Sequence, residues 1–256
     1  MNLLQAKGFI LEARNYAEAD KIIQLYTLSL GRIKAIAKGV RKPKSKLSSA
    51  IDLFTESSLS LHKRPSADLY LLTQAKVMDS HSDLKKDLKT ITALQVLADL
   101  VSQSLHESEP HPEVYSLLQE TLAGLGITGS EPEALLASFI LKFLDLLGNP
   151  LELSACVECG TALQKQKATL IPHRGGALCG DCCPTGPARL KASPVELEIL
   201  KKLRSLSMGK IHVLKMKRDF LRRIFLMALE YLERTIEKKL RSVDFYLKMV
   251  PLENPE

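Results

Sequence analysis

Four of the five cysteines fall in two pairs, Cys156-Val-Glu-Cys159 and Cys179-Gly-Asp-Cys182, nineteen residues apart. A two-residue gap lets both sulfurs of a pair turn onto one ion, and two such pairs supply the four thiolates of a zinc site, each about 2.3 Å from the metal. Gly160, Gly175, Gly176 and Gly180 give the backbone the freedom such turns need. Four thiolates leave no coordination position for water or substrate, so the expected Zn2+ is structural and not catalytic. Cys183 offers a longer gap in place of Cys182, and His173 offers a nitrogen. The usual knuckle spacing favours Cys182, and a lone His between Pro172 and Arg174 reads as a solvated loop residue. Two disulfides or reduced buried thiols are the competing readings of the pairs.

The second chemical signal is residues 31–46, GRIKAIAKGVRKPKSK, which hold Arg32, Lys34, Lys38, Arg41, Lys42, Lys44 and Lys46 and no acidic residue. Seven like charges in sixteen positions repel one another, a cost that phosphate neutralisation relieves. Nucleic acid is therefore the expected ligand, against the simpler reading of a solvated basic loop. The nearby aromatics are Phe9, Tyr16, Tyr26, Phe54 and Tyr70, expected mostly to fill the core of a small barrel, and the chain has no Trp. Stacking platforms are sparse, so binding is expected to rest on phosphates, with weak sequence preference and a salt slope of roughly −3 for about four single-strand phosphates. A further basic group, Lys215, Lys217, Arg218, Arg222 and Arg223, opens a C-terminal helix and reads either as an exposed face or as a dock for an acidic partner.

The elements that must carry these groups divide the chain. The first 80 residues contain short runs of strand formers at 8–13, 21–27, 32–37, 57–62 and 69–75, separated by Gly, Asn, Ser and Pro. Five short strands predict a small β-barrel, with a long loop between the third and fourth and a short helix near 47–53. From about Asp83 the periodicity turns helical. Leu88, Ile91, Leu94, Gln95 and Ala98 are expected on one face, then Leu117, Leu118, Thr121 and Leu122 after a break at His111-Pro112. Ser130 is the expected N-cap of an almost wholly apolar helix over 134–147, the centre of a bundle ended by Gly148-Asn149-Pro150. The predicted architecture is α+β, with a barrel over 1–80, a helical domain over 81–256 and a zinc insert at 154–190. The insert carries a weak strand at 168–172. Ser193-Pro194 starts another helix, and 215–241 reads as one long amphipathic helix with Leu221, Ile224, Phe225, Ala228 and Leu232 on its apolar face.

Net charge is +7, unevenly placed. Residues 1–80 carry 13 basic and 7 acidic side chains, 81–200 carry 9 and 15, and 201–241 carry 13 and 4. Basic ends around an acidic middle suggest a polyanionic partner more than a uniform excess would. The opening MNLLQAKGFILEARNY is interrupted by Lys7 and Glu12 and has no small-residue cleavage site, and no apolar stretch spans a bilayer, so a cytoplasmic, reducing location without membrane contact is expected. No GxxxxGK[ST], GxSxG or HExxH occurs, and His62, His81, His106, His111 and His212 fall in polar stretches where solvent exposure is expected. Nothing here points to an enzyme.

The segments GFILEARNYAEADKIIQLYT, LGRIKAIAKGVRKPKSKL, CVECG and GGALCGDC, in this order and spanning nearly the whole chain, resemble the RecO family of DNA repair proteins in its zinc-bearing form. The resemblance implies an N-terminal OB-fold, a C-terminal helical domain and a zinc insert. It implies a recombination mediator that binds single- and double-stranded DNA, anneals complementary strands, cooperates with RecR, contacts the single-strand DNA-binding protein and helps RecA load, at the nucleoid. Zinc ligation then falls on Cys156, Cys159, Cys179 and Cys182, and DNA contact on Arg32, Lys34, Lys38, Arg41, Lys42, Lys44 and Lys46. Arg218, Arg222 and Arg223 are offered from charge alone as a dock for the acidic tail of the single-strand DNA-binding protein. The competing reading is a zinc-ribbon RNA-binding or transcription accessory scaffold; a metal-dependent hydrolase is disfavoured by four-thiolate ligation.

Overall fold

The computed structural model describes residues 2–63, 68–164, 167–183 and 191–251. Five strands, β1 (Asn2–Tyr16), β2 (Asp20–Thr27), β3 (Gly31–Ala37), β4 (Glu56–Lys63) and β5 (Tyr70–Asp79), close into a barrel in the order β1-β2-β3-β5-β4. All neighbours are antiparallel except β3 and β5, whose parallel pairing is limited to Ala35–Tyr70, Ile36–Leu71 and Ala37–Leu72. The period of two sets which side chains enter. Ile23 and Leu25, Ile33, Ala35 and Ala37, and Leu59 and Leu61 fill the interior with Ile10, Val40, Ile51 and Leu72.

The aromatic residues divide differently from the expectation. Tyr70 belongs to the barrel interior. Phe9, Tyr26 and Phe54 are fully buried but lie outside that interior cluster, where Phe9 meets Phe54 at 6.1 Å and Tyr115 at 4.9 Å between ring centroids. Tyr115 in turn donates to Glu56 at 2.8 Å. Burial, then the bond to Glu56 and its charge, pushes the Tyr115 hydroxyl well above its ordinary range, so it remains a donor. Tyr16 is half exposed.

This compact unit comprises Met1–Ser116 and Leu240–Met249. It includes α1 (Leu88–Ser104), the start of α2 (Pro112–Leu125) and α6 (Arg241–Met249). The N-cap of α1 is Asp87, whose carboxylate accepts from the Thr90 amide at 2.8 Å. Its buried apolar residues are Ala93, Leu94, Val96, Leu97, Ala98, Leu100 and Val101, whereas Leu88 is half exposed and Gln95 is exposed. The expected face is therefore borne out at Leu94 and Ala98 and displaced at Leu88 and Gln95: eight apolar residues from 91 to 101 allow several helical stripes, and packing with α6 selects one. Two of the histidines expected in solvent are also drawn inward. His62 lies within β4, and His81 Nδ1 sits 3.0 Å from the Phe54 carbonyl.

The second unit, Leu117–Lys239 and Val250–Glu256, is built around α3 (Pro132–Leu146), buried from Pro132 to Leu141 and at Phe143 and Leu144. A helix apolar on every side requires neighbours on every side, and α4 (Pro194–Ser205) and α5 (Arg218–Thr235) supply two of them. Glu131, not Ser130, is the N-cap of α3; the Ser130 hydroxyl donates instead to the Gly124 carbonyl at 2.7 Å. α4 starts as expected, with a reciprocal capping box between Ser193 and Glu196 around Pro194.

The single long C-terminal helix is replaced by α5 and α6. Glu237 takes φ +55° and the Lys238 amide donates to the Glu233 carbonyl at 3.1 Å, which ends α5 in a Schellman turn. Glycine usually marks that position, and a Glu there gives the sequence no stop signal. Among the described residues no helix is long and apolar enough to cross a membrane.

Gly31 shows how tightly β3 is engaged. Its φ is +64°, and a Cβ added there would run into the Glu109 backbone. Gly31→Ala is expected to cost at least about 1–3 kcal/mol from backbone strain alone, read as a lower midpoint in denaturant unfolding.

Candidate nucleic-acid interface and metal centre

The metal centre is assembled by a small sheet of β6 (Ala168–Ile171), β7 (Gly176–Leu178) and β8 (Lys191–Ala192), in the order β7-β6-β8. The first knuckle and the residues before it are tied to β7 backbone to backbone: the Ala177 amide donates to the Glu152 carbonyl at 3.0 Å, and the Val157 amide donates to the Ala177 carbonyl at 3.0 Å. This approach leaves no space beside Gly176, where a Cβ would lie 2.6 Å from the Glu152 carbonyl oxygen. The loop closes through Gly160 N–H to the Cys156 carbonyl at 2.9 Å, with Gly160 at φ +74°. Those contacts place the ends of two distant dipeptides side by side.

The sulfurs of Cys156, Cys159, Cys179 and Cys182 all lie within 4.8 Å of one another, and Cys159 and Cys179 are 3.7 Å apart. Ligands about 2.3 Å from a tetrahedral ion are separated by about 3.8 Å, so this donor set fits one metal ion. Cys183 turns its sulfur to Thr169 Oγ1 at 3.3 Å, and His173 is exposed outside the four-sulfur group. The knuckle amides prepare the thiolates. Burial raises the Cys156 thiol, but N–H groups of Cys159, Cys179 and Glu158 outweigh it and bring the thiol down to about 6. Cys182 is pushed up by its hydrogen bonds to Cys159 and Cys179.

The seven cations of 31–46 fall into two sets. Arg32 and Lys34 lie on β3 and are engaged by the chain that follows α1. Arg32 Nε donates to the Leu105 carbonyl at 2.9 Å, and Lys34 Nζ is 2.6 Å from Glu107 Oε1. Lys38, Arg41, Lys42, Lys44 and Lys46 are exposed on the loop after β3. The start of that loop is pinned rather than loose. Gly39 N–H donates to Asp20 Oδ1 at 2.7 Å, Arg41 N–H donates to the Ala19 carbonyl at 2.9 Å, and Arg41 Nη1 donates to the Glu18 carbonyl at 3.0 Å. Val40 inserts into the barrel interior, and consecutive turns link Lys42 to Gly39 and Ser45 to Lys42. The result is a row of five cations held on a fixed backbone beside the β1–β2 turn.

The C-terminal arginines do not form one exposed patch. Arg222, expected on a docking face, is buried, and its Nε and Nη2 both approach Glu133 Oε1 at 2.6 Å while Nη2 also donates to the Val250 carbonyl. Glu133 is buried at the start of α3, and its charge draws Arg222 inward. Arg223 pairs with Glu196 at 2.6 Å. The helix periodicity placed Arg218 and Arg222 together; it gave no sign of the carboxylate eighty-nine residues away.

A closed five-stranded barrel carrying a fixed basic loop, with a four-cysteine centre in the helical part, defines an OB-type barrel protein with a metal-binding knuckle. Residues 1–81 match the family model for the Recombination protein O N terminal, and residues 85–244 match that for the Recombination protein O C terminal. The chain is similar to proteins named DNA repair protein RecO. That of Symbiobacterium thermophilum is 30% identical over 96% of this chain and 97% of the relative. That of Pelotomaculum thermopropionicum is 34% identical over 96% and 94%, and that of Desulforamulus reducens is 29% identical over 96% and 94%. The chain belongs to the RecO family, a family of DNA repair and recombination.

Proposed function

We propose that this chain is a recombination mediator that binds single- and double-stranded DNA through its barrel and anneals complementary strands. The observation that carries the reading is the row of Lys38, Arg41, Lys42, Lys44 and Lys46, exposed on a pinned loop of an OB-type barrel. Annealing needs no covalent step. Two strands repel through their phosphates, and a cationic surface that neutralises both lowers that barrier while leaving base edges free to pair. The near absence of exposed aromatics suits this role, since bases held tightly by stacking would search poorly for complements. The activity is expected without nucleotide hydrolysis.

Cooperation with RecR, contact with the single-strand DNA-binding protein and help in loading RecA on coated strands complete the reading, in the cytoplasm at the nucleoid. The functional division is a DNA-binding module over 1–80, a helical domain over 81–256 and a zinc insert over 154–190. Zn2+ held by Cys156, Cys159, Cys179 and Cys182 is structural. Of the arginines considered for an acidic partner tail, Arg222 is buried against Glu133, whereas Arg223 keeps half of its side chain in solvent beside Glu196.

The test is the rate at which the protein, without nucleotide, pairs complementary strands precoated with the single-strand DNA-binding protein. The comparison is with the K38Q/R41Q/K42Q/K44Q/K46Q variant. Each phosphate contact contributes about 0.7 to the logarithmic salt slope on single strands, so the variant is expected to lose the acceleration and to flatten the slope by up to about 3.5. An unchanged rate and slope in a folded variant rejects the loop as the DNA surface, and a matched-salt preference for RNA over DNA favours the RNA-binding scaffold.

A further inference from the structure

The parallel contact between β3 and β5 covers only Ala35–Ala37 of β3, and the rest of that edge is taken by the acidic stretch 107–109. Glu107 bridges to Arg32 in parallel register, and the Ser108 amide donates to the Arg32 carbonyl at 2.8 Å. The Glu107 carboxylate lies 2.6 Å from Lys34 Nζ and 3.4 Å from Arg32 Nη1. Ser108 adopts φ +62°, an uncommon conformation for a residue other than glycine, and Glu109 packs its backbone against Gly31.

We propose that Glu107 is a built-in competitor for nucleic-acid phosphate: its carboxylate occupies Lys34 and reaches Arg32 on β3, so the basic surface is complete only when that carboxylate is displaced while the 107–109 backbone stays in place. This rests on the reading of the barrel as the DNA-binding module and adds its regulation. The geometry is that of an exchangeable contact and not of a core one. Lys34 and Glu107 are each nearly half exposed, at 44% and 45% of the side chain, so a phosphate oxygen can approach the ammonium that the carboxylate holds. Exposed pairs of this kind contribute only about 0–1 kcal/mol, little enough for a polyanion to exchange. The Lys34 hydrogen bond, against a smaller effect of burial and aided by the charges of Lys34 and Arg32, keeps Glu107 below the usual carboxylate range, so the competitor is ionised at neutral pH.

The experiment measures single-strand DNA affinity of the full chain against salt for wild type, E107Q, K34Q, K42Q and E107Q/K34Q. E107Q keeps the side-chain size and the Ser108 to Arg32 backbone bond. It is expected to bind more tightly by several-fold at low salt, with a slope steeper by about 0.7 for each cation released. K34Q in the wild-type background is expected to cost less affinity than K42Q, because Lys34 is already neutralised, and K34Q in the E107Q background is expected to cancel part of the gain. Equal losses for K34Q and K42Q, or an E107Q protein that binds with unchanged affinity and slope, overturn the competitor while leaving DNA binding by the barrel in place. A wild-type protein that binds no DNA removes the underlying reading itself. The K34Q against K42Q comparison stands even if E107Q folds poorly.

Discussion

Chelation of the Zn2+ proposed at Cys156, Cys159, Cys179 and Cys182 is expected to abolish hydrogen-exchange protection across 152–164 and 167–183 and to leave β1–β5 protected. The knuckle region has little else to order it. Its sheet has strands of four, three and two residues, and its buried apolar side chains are mostly Leu153, Leu163, Ala168, Leu170, Ala177 and Leu178, with no aromatic among them. Structural zinc supplies roughly 10–16 kcal/mol in small peptides, comparable to or larger than the whole stability of an ordinary domain, about 5–15 kcal/mol. Without the ion, the same sulfurs, all within 4.8 Å, become a set of thiols and thiolates that repel or share protons. The check is exchange measured on metal-free protein whose zinc loss has been verified, beside Cys159→Ser, which is expected to lower zinc content below one per chain. Protection that survives complete metal loss would refute a structural role.

Arg222→Met is expected to destabilise the helical unit by about 3–5 kcal/mol. That is a fall of roughly a hundredfold to several thousandfold in the folding equilibrium. The guanidinium side chain is 8% exposed and the Glu133 carboxylate 4%, so removal of the cation leaves a carboxylate buried without its charge partner. The Val250 carbonyl also loses the donor it shares. Replacing both charges, as in E133L/R222M, is expected to restore most of the stability, because two apolar side chains need no compensation in the interior. Denaturant unfolding of the two variants makes the comparison, and a single-variant loss below about 1 kcal/mol would show that Glu133 finds another partner or reaches water. The same reasoning explains why no docking role is assigned to Arg222.

Much of this was legible in the chain because its signals are local. The period of two in β3 is a local signal, and Gly31 and Gly39 stand at its two ends. The N-terminus of α4 was readable because Ser193 and Glu196 satisfy each other's backbone within four residues. The two cysteine pairs were readable because a knuckle is a short-range motif. Where several local solutions compete, the reading failed: the apolar residues of α1 allowed more than one stripe, and the stop after α5 uses Glu237 where glycine would have announced it.

The types and spacing of residues thus determined by themselves that the chain has a small barrel, a helical bundle, a four-sulfur group and a basic strand and loop, since each depends on neighbours a few positions apart. Only the tertiary structure decided which cations are exposed. Lys34 and Arg222 look alike in sequence, yet one meets Glu107 and the other Glu133, seventy-three and eighty-nine residues away respectively. Charge is a property of a residue, but its availability depends on the carboxylate that folding brings beside it, and long-range pairing leaves no periodic trace.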